Sequence, residues 1–86
     1  VVTVELYGLP RLRAGAERCE LPAGPLHALL GALAGALPGL VPDILRDGRL
    51  TEHALIAIDG HDLIVEPDTA IADGAVLVLI SAQAGG

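Results

Sequence analysis

Few residues in this sequence could take part in chemistry, and they are scattered. Cys19 is the one thiol, His27, His53 and His61 are the histidines, and the chain closes on Gln83, Ala84, Gly85 and Gly86. A thiol becomes a nucleophile when a neighbouring base or positive charge lowers its pKa. No histidine adjoins Cys19 in sequence, and the alternation of "ERCEL" turns it inward with Leu21, where a free cysteine behaves as a small buried hydrophobe. His61-Asp62 places a base beside a carboxylate, but in a short polar connection this reads as a solvated turn rather than an acid/base pair. The three histidines have no metal-ligand spacing, and no metal site is expected. No strand runs into a G-x-G-x-x-G or G-K-[ST] pattern that would cradle a phosphate. The chain is expected to have no catalytic residue of its own and to bind no cofactor.

The C-terminal pair is different in kind. Two glycines lack the side chains that would block passage into a narrow channel, and both take extended or positive-φ conformations at little steric cost. Gly86 then offers a carboxylate on a thread. On composition alone a frayed end and a working tail both fit, because chain ends are commonly small and polar.

The elements that must position this tail can be read from hydrophobic periodicity. "VVTVELYG" alternates, with Val2, Val4 and Leu6 on one face and Thr3, Glu5 and Tyr7 on the other, which predicts a half-buried strand. "LPRLRAGA" reads as a turn leading to a second strand over "ERCEL", so the first two strands form a hairpin. Gly24 and Pro25 mark a helix start, as N-cap and first helical residue. Leu26, Leu29, Leu30, Leu33 and Leu37 follow at i, i+3, i+4, i+7 and i+11, a stripe suited to lie on a sheet. Pro38 and Gly39 end it.

"LVPDILRDGRL" predicts one further helical turn around Asp43 to Arg46, closing at Asp47-Gly48. Asp59-Gly60 between two apolar runs is a hairpin signal, and "AVLVLI" is an apolar run of strand length. The order ββαβββ, or ββαββ with a minor strand, predicts an α+β β-grasp fold. Its sheet would be mixed and four- to five-stranded, the first and last strands parallel, with one main helix packed on one face. Residues 1–80 are expected to form a single domain, and 81–86 a flexible tail.

Composition narrows the function further. The 86 residues are 52% hydrophobic and suffice for one domain. The mean hydropathy is +0.61, yet Leu26 to Leu37 is shorter than the ~20 apolar residues a bilayer crossing requires. Gly31 and Gly35, at the small-xxx-small spacing of membrane helix pairs, therefore reflect composition or close packing. The first residues show no arginine-flanked apolar leader, and the missing initiator Met suggests trimming; the cytoplasm is the expected compartment. With a net charge of −6, no lysine and Tyr7 as the one aromatic, the chain lacks the cations and stacking surfaces that nucleic acids need. Its acidity suits a basic protein groove instead.

The stretch "DTAIADGAVLVLISAQAGG" resembles the C-terminal end of the MoaD/ThiS family of ubiquitin-like sulfur carriers. That family shows an Asp-Thr-x-Leu-x-Asp-Gly turn, a final strand and a short tail closing in Gly-Gly. Asp68, Thr69, Ile71, Asp73, Gly74, Gly85 and Gly86 carry the match. The "LYGLPRLRAGA" opening and the strand order are similar too, so the resemblance covers essentially the whole chain.

The resemblance implies a protein cosubstrate. An E1-like adenylating enzyme would use ATP to convert the Gly86 carboxylate into a mixed anhydride with AMP, and sulfur would then displace AMP to give a thiocarboxylate. Gly85 gives clearance, Gly86 carries the sulfur, and catalytic groups belong to partners. The same resemblance turns Leu77 and Leu79 to the core and leaves Val76, Val78 and Ile80 on the open face of the sheet, an apolar patch of the kind that marks an interface. Ser81, Ala82, Gln83 and Ala84 complete the partner-facing segment. The expected acceptor is a synthase, either the large subunit of molybdopterin synthase or a cysteine-synthase-like enzyme. Molybdopterin-type carriers often have an aromatic in the last strand and Pro-Pro near the tail. Here Val78, Leu79 and Ile80 stand for the aromatic and Ser81-Ala82 for the prolines, so carriage of sulfur for cysteine, thiamin or secondary metabolites is an alternative. A ubiquitin-like protein modifier is another.

Overall fold

The computed structural model describes residues 1–59 and 62–82. A five-stranded mixed sheet forms its centre, in the order β2 (Arg18–Leu21), β1 (Val2–Leu6), β9 (Val76–Ser81), β6 (Ala54–Ile58) and β7 (Asp62–Leu63). β1 (Val2–Leu6) and β2 (Arg18–Leu21) run antiparallel, with Val4 opposite Cys19 and Val2 opposite Leu21. β9 (Val76–Ser81) lies parallel to β1, Val4 facing Leu77 and Leu6 facing Leu79. On its other side β9 is antiparallel to β6 (Ala54–Ile58), which pairs in turn with β7 (Asp62–Leu63). The last strand of the chain therefore occupies the middle of the sheet, and the parallel pairing expected of the first and last strands is present.

One face of this sheet is covered by α2 (Leu26–Ala36). Its Leu26, Leu29, Leu30 and Leu33 join Val2, Val4, Leu6, Ile56, Leu77 and Leu79 in a single aliphatic core, with Leu37 packed at the margin. Each such side chain, fully buried, contributes about 1.5–3 kcal/mol, which lets a nearly aromatic-free core hold the fold. Gly31 and Gly35 sit on the solvent side of α2, where an added Cβ would meet nothing; they reflect composition and not close packing.

Three local expectations are corrected. "LPRLRAGA" is not a plain turn: Leu9–Ala14 form a short helix, α1, with Pro10 near its start and buried. The two arginines that made the segment look like a polar connection point outward, Arg11 to Glu17 and Arg13 to Asp43. The start of α2 is shifted as well. Pro25 is its N-cap, and Gly24–Pro25 form a two-residue strand, β3, against β8 (Ala70–Ile71). No side chain caps the helix. The Leu26 and His27 amides donate instead to the carbonyls of Thr69 and Pro67 at 2.8 and 2.9 Å, so the Pro67–Thr69 segment supplies the acceptors that the helix start requires.

The third correction concerns the segment after α2. A 3-10 turn over Pro38–Leu40 comes first, and Asp43 to Arg46 is not helical. Leu45–Arg46 (β4) and Arg49–Leu50 (β5) form a tight hairpin. Asp47 (φ 55°) and Gly48 (φ 75°) both take positive φ at its tip, the geometry that a two-residue loop on twisted strands demands. β6 and β7 pair antiparallel on either side of the expected Asp59-Gly60 connection, Ile58 facing Asp62, with Gly60 itself outside the described residues. No helix among the described residues is long and apolar enough to cross a membrane.

Candidate functional site

β9 has two faces with different surroundings. Leu77 and Leu79 are fully buried under α2, while Val76, Val78 and Ile80 are half-buried on the opposite face, which no helix covers among the described residues. Register decides which neighbours share that open face. Leu55 of β6 lies opposite Ile80, and Ala57 opposite Val78. From β1, Thr3 lies beside Val76 and Glu5 beside Val78. Leu55 is 37% exposed and forms an apolar strip with the half-buried Val78 and Ile80, while Ala57, at 7%, lies covered between its neighbours.

The other half of the face is polar. Glu5 stands opposite Arg18 across the β1–β2 pair, and the exposed Tyr7 donates its hydroxyl hydrogen bond to Glu5 Oε1 at 3.0 Å. That hydrogen bond, together with the negative charge of Glu5, holds the Tyr7 phenol above its ordinary pKa. An apolar strip bordered by charged and phenolic groups has the make-up of a protein interface, with a desolvated centre and a polar rim.

At its C-terminal end, β9 runs through Ser81, one residue beyond the division expected after residue 80. Ser81 pairs with Ala54, and the Ala82 amide donates to the His53 carbonyl at 3.0 Å. The Ser81 hydroxyl accepts the Leu9 amide hydrogen bond at 2.7 Å. Gln83, Ala84, Gly85 and Gly86 lie outside the described residues, as does His61.

The remaining candidates stay apart. Cys19 is half-buried at the core face of the edge strand β2, opposite Val4. Burial first, and the Glu20 charge second, push its thiol upward, the reverse of nucleophile activation. Asp62 and His27 are exposed, and among the described residues no three His, Cys, Asp or Glu side chains converge to hold a metal. A groove of about 700 Å³ lies between the start of α2, the β4–β5 hairpin and β7, with aliphatic walls including Leu30, Leu50 and Ile64. Of the candidates named from the sequence His27 lines it, and Leu55 of the open-face strip reaches it, whereas Val76, Val78, Ile80, Ser81 and Ala82 do not.

Sequence reasoning missed the contribution of Leu55 and Ala57, and the link from Ser81 to Leu9. The alternation of "ALIAI" separates Leu55 and Ala57 from Ile56, but only the β6–β9 register puts them beside Ile80.

A mixed sheet with a central parallel pair of first and last strands, one main helix on one face and the other face open, defines a ubiquitin-like β-grasp protein. No protein-family model matches the chain, and no curated protein does. Solved structures do. SAMP1 from Haloferax volcanii is 26% identical, with 99% of this chain and 98% of that one covered and a TM-score of 0.79. A chain of the complex of subunits 1 and 2 of the molybdopterin-converting factor from Helicobacter pylori is also 26% identical, covering 99% and 97%, with a TM-score of 0.68. A chain of the Amycolatopsis orientalis BexX/CysO complex superposes with a TM-score of 0.79 over all of both chains at 17% identity, a likeness of fold. The structural neighbours are thus ubiquitin-like proteins of the MoaD/ThiS type, in agreement with the resemblance carried by the C-terminal stretch.

Proposed function

We propose that this chain is a sulfur carrier that works as a protein cosubstrate and has no catalysis of its own. An E1-like enzyme adenylates the Gly86 carboxylate with ATP, sulfide displaces AMP, and the thiocarboxylate donates its sulfur during cofactor biosynthesis. The observation that carries this reading is the junction of two features on one strand. The half-buried Val78 and Ile80 of β9 form an apolar strip with Leu55 that no helix covers among the described residues, and the same strand leads directly into a sequence closing in Gly85-Gly86. A docking surface and a reactive end are thereby joined through a few residues of chain. Gln83 and Ala84 extend the partner-facing segment and Gly85 supplies clearance.

The partner that accepts the sulfur is a synthase subunit, with the large subunit of molybdopterin synthase favoured by the 26% identity to a chain of the two-subunit molybdopterin-converting factor complex. A cysteine-synthase-like acceptor is the alternative within the same chemistry. The expected setting is the cytoplasm.

Co-expression with an E1-like enzyme, followed by incubation with ATP and sulfide, tests the reading. The C-terminal peptide should gain the mass of one oxygen-to-sulfur exchange, and deletion of Gly85-Gly86 should abolish the gain. No gain with any E1-like enzyme from the source organism would overturn the carrier function. A second reading, a ubiquitin-like modifier, is favoured by the 26% identity to a small archaeal modifier protein. It predicts high-mass conjugates that resist reduction. Because the chain has no lysine, these would be single attachments and not lysine-linked chains of itself.

A further inference from the structure

The start of α1 and the end of β9 are far apart in sequence and meet in space. α1 has no local side-chain cap, because its N-cap is Gly8. A helix start leaves amide donors without intrahelical partners, and the Leu9 amide finds its acceptor in the Ser81 hydroxyl at 2.7 Å, 72 residues away. Gly8 makes this approach possible in two ways. Its backbone (φ 65°, ψ −135°) lies in a region open in practice only to glycine, and a Cβ there would collide with the Ser81 hydroxyl. On the other side of the strand, the Ala82 amide is held by the His53 carbonyl at 3.0 Å. The chain therefore leaves the sheet gripped from both flanks.

The geometry points to Ser81 as a positioning residue, whose clasp with Gly8-Leu9 fixes the end of β9 at Ala82, the point from which the partner-facing segment continues. This rests on the carrier reading above and assigns its geometry to a particular contact. Without the clasp the end of β9 can fray from the start of α1, and the position of Ala82 is no longer fixed from that flank. A misplacement of about 1 Å can cost about 100-fold in rate. The Ser81 hydroxyl is committed inward to Leu9, so its effect on a partner acts through the direction of the chain.

The test uses the full chain labelled with 15N as wild type, Ser81→Ala and Ser81→Thr. Loss of the hydroxyl should accelerate Leu9 amide exchange by about tenfold or more, with the exchange of central β9 amides unchanged, and should raise the fast motion of the Ala82 amide. Threonine, which keeps the hydroxyl, should restore both. With the E1-like enzyme that loads the wild-type chain, Ser81→Ala should lower kcat by about tenfold while KM stays within about twofold. Unchanged Leu9 exchange in Ser81→Ala overturns the clasp. Changed exchange with an unchanged kcat overturns its role in presentation. A wild-type chain that no activating enzyme loads sinks the carrier reading, and with it the role in transfer, while the exchange data still decide the clasp.

Discussion

Leu79 and Ile80 are neighbours on one strand with different surroundings. Leu79 shares a fully buried aliphatic core with Leu6, Leu33 and Ile56, and Ile80, facing the other way beside Leu55, keeps part of its surface in water. Both are large aliphatics, so residue type cannot separate the one that holds the fold from the one left for a partner. The helix-covered face is satisfied within the chain. The open face has apolar surface that the described residues leave partly in water, and the proposed docking rests on it.

Four substitutions or titrations would break or sharpen this contrast. The largest effect is expected for Leu79→Ala, which should cost about 2–5 kcal/mol of stability in chemical denaturation, because it removes packed methyl groups and leaves a cavity. If Ile80→Ala cost as much, the two faces would be equivalent and the contrast would fail. Next, Ile80→Asp should cost about 1–3 kcal/mol of stability, since it loses strand preference and sets a charge on a half-buried apolar face. It should nevertheless slow thiocarboxylate formation or transfer by about tenfold or more, as expected of an anchor at an interface centre. A folded Ile80→Asp chain that is loaded and discharged at the wild-type rate would remove the open face from the function.

A smaller effect concerns Cys19, at the core-side edge of the sheet. Its thiol is held above the ordinary value by burial and then by Glu20, so less thiolate is present at mildly alkaline pH. Alkylation of the native protein should therefore run severalfold slower than of the urea-unfolded chain, and equal rates would place Cys19 in solvent. The smallest effect is on Tyr7, at the polar rim of the open face. Deprotonating its phenol would break the hydrogen bond to Glu5 and set two negative charges side by side. Glu5→Gln should thus shift the absorbance titration of this one tyrosine to lower pH, and no shift would mean that the pair does not form.

The sequence revealed some of these features and hid others for physical reasons. The leucine stripe from Leu26 to Leu33 and the alternation of Val2, Val4 and Leu6 were readable because periodicity follows which face is buried. α1 escaped notice because six residues opening with Pro10 and carrying Arg11 and Arg13 have the composition of a turn. They are helical through tertiary contact with β9 and the 3-10 turn, against which local propensity is a weak prior. The hairpin at Asp47-Gly48 was expected as the end of a helical turn, although its Asp-Gly pair is the same signal that correctly marked β6–β7. The strands flanking it are two residues each, too short to show alternation. At the candidate site, Val76, Val78 and Ile80 were legible as a set once the resemblance fixed the phase of β9. Leu55, Ala57 and the Ser81–Leu9 contact depend on strand register and on chain segments far apart in sequence, which no local pattern encodes.

The central position of β9 has a consequence for how the protein is made. Strands β1 and β6 flank it, so a chain interrupted before Val76 lacks the middle of its sheet, and two strand edges stay open to unwanted pairing. Synthesis runs from β1 to β9, and the core that includes Leu77 and Leu79 cannot close until the last strand leaves the ribosome. A product truncated before Val76 would keep both edges exposed, and only chains that include β9 would present the apolar strip of the open face.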